Sequence, residues 1–303
     1  MNASLQRPVT PNTGHPSVSA LMGLASPGET PDDVIRRRCR ELVAEKKAQG
    51  WTGPPFDPEI LASLLDIEVD HVDHDIRADA RIFPAAGGRL IIQCAASVSE
   101  ERQRFSICHE IAHTRFPDCY EEVRCRLERG KFDSRHFELE RLCNIGAAEL
   151  LLPYDDFRIS VGGRVVSIDL AYEIRQTFAC SVEAALYRLV DLSDEECAVA
   201  FMSKRLKPSE QRRCHPEFAF GLPQPTPKFR VDYVRASRRF FAFFPPHKSA
   251  PDSSVVYHAV SDVFPSGSEC WDVAGLEKVS VQACVLAPIA SQQERVAALL
   301  RVC

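Results

Sequence analysis

The pentapeptide His109-Glu110-Ile111-Ala112-His113 constrains this chain more than any other stretch. Side chains four apart on a helix stand one above the other on a single face, so an H-E-x-x-H helix presents both imidazoles to one metal ion. The carboxylate beside the first histidine can then act as a general base in hydrolysis. A five-residue pattern also recurs by chance, so its surroundings must supply a helix and a third protein ligand.

Ser97-Val98-Ser99-Glu100 has the spacing of a capping box, and no Gly or Pro follows until Pro117. Phe105, Cys108 and Ala112, with Ile111 beside them, form an apolar stripe. The spacing predicts a helix over about residues 99–115 that contains both histidines. Arg89-Leu-Ile-Ile-Gln-Cys94 reads as a short strand. With Ala78–Phe83 and the Ala-Ala-Gly-Gly turn at 85–88, it predicts a hairpin feeding that helix.

A catalytic zinc takes three protein ligands and keeps one position open. Residues 137–153 read as a second helix, begun near Asp133 or Ser134 and stopped by Pro153. Glu140 and Asn144 lie four apart on one face, which suits Glu140 as ligand and Asn144 as the group that holds a ligand in place. Glu138 and Glu149 are competing carboxylates. Glu138 is about 200° around the helix from Glu140, so the two cannot share a metal. Glu140 is favoured, with Glu149 as the alternative third ligand.

The residues around these positions resemble a known family. Arg104-Phe-Ser-Ile-Cys-His-Glu-Ile-Ala-His113 is similar to the R-F-T-x-A-H-E-L-G-H core of the ImmA/IrrE metallopeptidases, and Glu140 to Pro153 to their E-x-x-A-N-x-F-A-A-x-L-L-M-P helix. Pro58–Val69 and the stretch from Thr177 to Leu189 match flanking segments in the correct order, so the resemblance spans about residues 33–192. It implies a zincin-like metallopeptidase core followed by a helical module, with His109, His113 and Glu140 as metal ligands and Glu110 as base. It implies zinc, with manganese as a substitute, and a protein substrate, typically a helix-turn-helix repressor of the XRE type encoded nearby and cut in response to stress or damage. Several positions depart from the pattern. Cys143 stands for Ala, Gly146 for Phe, Leu152 for Met, Cys108 for Ala and Ala112 for Gly. None removes a catalytic group, although Gly146 is expected to loosen the ligand helix.

The whole chain reads as α+β. Its 303 residues suffice for two domains, and 45% hydrophobic with 26% charged residues is a globular profile. A net charge of −5 gives no global nucleic-acid signature. No apolar run reaches membrane-span length and no basic-then-apolar leader is present, so a cytoplasmic location without membrane contact is expected. Twelve scattered cysteines without a C-x-x-C pair point to reduced thiols. Cys108 and Cys119 flank the site and raise a redox-sensing reading, but Cys108 is about 100° from His109 on the helix and points off the metal.

Composition divides the chain further. Residues 1–30 read as a flexible tail and 31–160 as the peptidase domain, with helices at 31–49 and 58–68 and a mobile connection at 118–132. Residues 161–196 read as helix, turn, helix, and 197–303 as a C-terminal α+β domain. In that last part, 198–202, 229–233, 254–257 and 278–286 read as strands and Ser291-Gln-Gln-Glu294 as the opening of a terminal helix. A GAF-like sensor identity for this domain rests on its position after a family-like core. Arg235, Arg238 and Arg239 beside Phe240-Phe241 are candidates to grip an anionic partner. The 167–192 segment invites a DNA-binding reading through Arg175, Gln176 and Arg188, but packing against the core explains its apolar face better, and direct DNA binding is not expected. Tyr120, His136 and Tyr172 are candidate oxyanion donors. Two rivals to a peptidase remain: a metal-binding sensor, or a toxin–antitoxin component that acts by binding.

Overall fold

A computed structural model describes residues 15–73, 76, 78–121, 136–213, 225–245, 247–273, 278–287 and 294–302. The mixed-charge connection falls outside the described residues from 122 onward, as do residues 1–14 of the expected tail and the start of the ligand helix. The chain divides into two compact units between Phe157 and Arg158. It is a mixed α+β protein with one sheet in each unit.

The first unit opens with α1 (Pro16–Met22), a helix within the segment expected to be flexible. His15 caps Ser17 N–H, Ser17 Oγ donates to Asp118 at 2.8 Å, and Val18 and Leu21 are buried. Next comes α2 (Pro31–Ala48), capped by a reciprocal Thr30–Asp33 box with Pro31 in its first turn. The short α3 (Pro58–Ser63) ends sooner than the expected 58–68 helix, because Asp66 turns the backbone to φ 58° and β1 (Ile67–Val72) begins. β2 (Ala80–Pro84) and β3 (Leu90–Ala95) form the expected hairpin, in antiparallel register with Ile82 opposite Ile92. β1 adds parallel to β3, giving the order β1-β3-β2 with β2 at an edge.

α4 (Glu100–His113) follows β3 directly. Its N-cap is Ser99, with no side-chain capping bond, so the Ser97–Glu100 box does not form. Ile107, Cys108, Ile111 and Ala112 are buried. α4 packs on β2 and β3 on one side and on α5 (His136–Leu151) on another, and α5 in turn packs on α2. α6 (Tyr154–Val161) follows at once.

In the second unit, α7 (Ile168–Phe178) and α8 (Val182–Asp191) are joined by Ala179 in the left-handed region, and Ser167 and Ser181 cap their N-termini. The sheet holds β4 (Cys197–Arg205), β5 (Lys228–Ala236), β6 (Ser266–Glu269), β7 (Val279–Leu286) and β8 (Arg295–Val302), in the antiparallel order β5-β4-β8-β7-β6. A short helix α9 (Pro208–Arg213) follows β4. Central strands covered on both faces read as continuous apolar runs. That explains β8, whose Val296-Ala-Ala-Leu-Leu300 run was expected to be a helix but is a central strand, wholly buried. Alternate residues of β4, β7 and β8 pack with Phe229, Val256 and Trp271 into one core. α8 packs on β4 and β5 and α7 on β7. Where 254–257 was expected as strand, Val255–His258 form a 3-10 turn capped by Ser254.

Candidate metal centre

The site is built where α4 meets α5, and its geometry follows from two helix spacings. On α4 the i, i+4 pair His109 and His113 faces α5, with the Nε2 atoms 3.3 Å apart. On α5, Glu140 faces them. Its Oε2 lies 3.0 Å from His109 Nε2 and 3.9 Å from His113 Nε2. Two atoms bound tetrahedrally to zinc at about 2.0–2.2 Å lie about 3.3 Å from one another. The three donor spacings, 3.0–3.9 Å, bracket that distance, so the donors could close on one ion. Their composition, two imidazole nitrogens and one carboxylate oxygen, is a donor set zinc accepts.

The opposite edges of both rings are also held by α5. Asn144 Oδ1 is 2.9 Å from His109 Nδ1, the ring edge at which the role expected for it would be exerted. Cys143 Sγ is 3.1 Å from His113 Nδ1, a contact the sequence reading missed. The signal was available, since 140, 143 and 144 form an i, i+3, i+4 set on one helix face. His109, His113 and Cys143 also present donor atoms within 4.8 Å of one another, a second candidate ligand trio. Sγ, however, approaches the Nδ1 edge of His113, whereas His109 and Glu140 gather at Nε2. Glu140 is therefore the better-placed third donor.

Electrostatics couples these groups. Burial lowers the proton affinity of His109. The hydrogen bond the ring donates to Glu140 and the charges of Glu110 and Glu140 outweigh that effect and hold the imidazole above its ordinary range. Glu110 is 6% exposed, and its Oε2 accepts a hydrogen bond of 3.0 Å from the backbone N–H of Ile82 on the β2 edge. The hairpin therefore orients the candidate base. Arg104 donates to the Phe56 carbonyl and Arg38 to the Arg115 carbonyl, tying both ends of α4 to neighbouring segments.

Glu149, the alternative ligand, is placed elsewhere. Its carboxylate is fully buried and accepts from Arg36 and Arg40 of α2 at 3.0–3.1 Å. Gly146 does the opposite of loosening α5. A Cβ there would stand 2.8 Å from Ala112 Cβ and 3.1 Å from Cys39 Sγ, so the absence of a side chain lets α5 close on α4 and α2. Of the oxyanion candidates, His136 packs edge-on to His15, Tyr120 is exposed, and Tyr172 belongs to the second unit, where its ring packs on Phe264.

Burial and pairing limit two other candidate surfaces. Arg188 is fully buried, so it cannot read a base edge, while Arg175 and Gln176 are exposed. Arg235 is ion-paired with Asp191 and lies over the Tyr187 ring. Arg238, Arg239 and Phe241 remain exposed. Among the described residues, no helix is long and apolar enough to cross a membrane.

Residues 63–190 match the family model described as the IrrE N-terminal-like domain, Peptidase M78. A solved structure of a Mycobacterium tuberculosis transcriptional regulator is similar in fold, with a TM-score of 0.55 and 15% identity, over 88% of this chain and 87% of that one. At that identity the likeness concerns the fold alone. No curated protein matches the sequence.

Proposed function

Starting from residues 63–190 as an ImmA/IrrE-family peptidase domain, we propose that this chain is a zinc-dependent endopeptidase that cleaves a helix-turn-helix repressor in a stress or damage response. The observation that carries the reading is the convergence of His109 Nε2, His113 Nε2 and Glu140 Oε2 at 3.0–3.9 Å, beside a buried glutamate. His109, His113 and Glu140 would hold the metal, with Asn144 orienting His109. When bound, zinc supplies Lewis-acid polarisation of the scissile carbonyl and acidifies water; manganese can stand in for it.

The chain's own residues do the rest. The Glu110 carboxylate, steadied by the Ile82 amide, takes the proton of the attacking water and delivers it to the leaving amine. β2 lies at the sheet edge and its Ile82 N–H points at Glu110, so an extended segment laid along β2 would pass beside the base. This strand-addition mode requires a substrate loop that is exposed or locally unfolded. A sensor or binding role without cleavage has no use for a buried carboxylate in the Glu110 position, which favours the peptidase reading. A GAF-like sensor role for the second unit rests on its position after the peptidase-like domain, and its five-stranded antiparallel sheet keeps it within the α+β class.

The test is incubation of the full chain and zinc with the repressor encoded beside its gene, read by intact mass, with Glu110→Gln alongside. Metal-dependent cleavage that Glu110→Gln loses while still binding zinc is the expected result. Equal cleavage by Glu110→Gln would overturn the assignment.

A further inference from the structure

We propose that Cys143 is a positioning residue of the metal centre, which fixes the ring of His113 as Asn144 fixes that of His109. The inference rests on the metallopeptidase reading of the same site and adds a residue to it. A helix spacing of three and four residues puts Glu140, Cys143 and Asn144 on one face of α5. The structure shows all three at work on the α4 histidines: Glu140 at the Nε2 atoms, Asn144 at His109 Nδ1 and Cys143 at His113 Nδ1.

An imidazole can rotate about its last side-chain bond and exchange the nitrogen it offers. A partner on one nitrogen settles both the rotation and the tautomer. With Nε2 given to a metal ion, the neutral His113 ring would carry its proton on Nδ1 and donate it to Cys143 Sγ, a weak acceptor. Both groups are closed to competing water, since Cys143 is fully buried and the His113 side chain is 3% exposed. The family motif usually has Ala here, which has no acceptor to offer. This chain therefore holds both histidines from one helical turn, through two consecutive residues.

Cys143 would be a ligand instead only if the ion sat on the Nδ1 side of His113, away from the Glu140 carboxylate. Titration of the full-length protein with cobalt, a spectroscopic probe for zinc, separates these arrangements. The expected result is a visible ligand-field spectrum without a thiolate-to-cobalt charge-transfer band, and zinc affinity reduced about tenfold or more in Cys143→Ala. Cys143→Ser, closest in shape and still an acceptor, should stay near the wild-type affinity, which also guards against a misfolded alanine variant. A strong charge-transfer band that vanishes in Cys143→Ser would make Cys143 a ligand and overturn the proposal, while leaving the metal site intact. Equal zinc affinity in wild type, Cys143→Ala and Cys143→Ser would overturn it too. If the wild type binds neither metal, the peptidase reading falls first and this inference with it.

Discussion

Replacing Gly146 by alanine sets two known effects against each other, and the structure decides which prevails. In a helix interior, alanine is favoured over glycine by up to about 1 kcal/mol. Against that, the new Cβ would meet Ala112 Cβ at 2.8 Å and Cys39 Sγ at 3.1 Å. Carbon atoms pack at about 3.5–4.0 Å, so α5 must withdraw from α4 by about 1 Å. Overpacking of this kind costs about 1–3 kcal/mol, so the net change should be destabilising by up to about 2 kcal/mol. The same withdrawal would stretch the 2.9 Å Asn144–His109 and 3.0 Å Glu140–His109 contacts past hydrogen-bonding range, so zinc affinity should fall at least tenfold. Hydrogen exchange of α4 and α5 peptides in the metal-free chain reads the first effect, and competition titration with a zinc chelator reads the second. Adding Ala112→Gly removes the main clash, so the double variant should be less destabilised than the sum of the two single changes, by about 1 kcal/mol. A Gly146→Ala protein that is more stable than wild type, with unchanged zinc affinity, would refute the reasoning.

Other consequences are simpler to state. Glu140→Ala should abolish tight zinc binding, whereas Glu149→Ala should keep the metal but lose on the order of 2 kcal/mol by leaving Arg36 and Arg40 without that carboxylate; zinc titration and denaturation of both variants check the pair, and metal loss in Glu149→Ala would revive it as a ligand. Burial pushes the Cys39 and Cys108 thiols up to about 12, so at neutral pH both stay protonated and should resist iodoacetamide in the folded chain, while exposed Cys270 reacts. Peptide mass mapping would expose the error if Cys108 were labelled first, the outcome a redox sensor at that position needs. Ser181→Ala removes the cap on Ala184 N–H and should cost about 1 kcal/mol in the second unit, measurable as earlier hydrogen exchange in α8.

How much was legible from sequence depended on whether the deciding contacts were local. α4, the β2–β3 hairpin and the body of α5 could be read because their signals lie within one helix or one turn: the His109–His113 spacing, the Ala-Ala-Gly-Gly turn, the Pro153 stop. Elements whose identity is set by distant partners were misread. β8 contains Ala-Ala-Leu-Leu, favourable to helix in isolation, and is a strand because β4 and β7 flank it. The 254–257 segment has strand composition, but Ser254 caps a single 3-10 turn there. Arg188 looked available to a nucleic acid because helix spacing does not reveal what covers a face; α8 packs on β4 and β5, and the guanidinium is buried.

Departures from a family pattern are equally hard to weigh one at a time. Read singly, Ala112 for Gly carries no evident consequence and Gly146 for Phe slackens the ligand helix. In the fold the two positions meet across the α4–α5 interface, where the Ala112 methyl leaves no room for a Cβ at 146. Cys143 for Ala, one turn earlier on α5, falls on the face that holds His113. Three of the five departures, at 112, 143 and 146, therefore fall where the α4 and α5 helices approach and where the His113 ring is held. A metal site depends on both, and neither appears in a pattern of five letters.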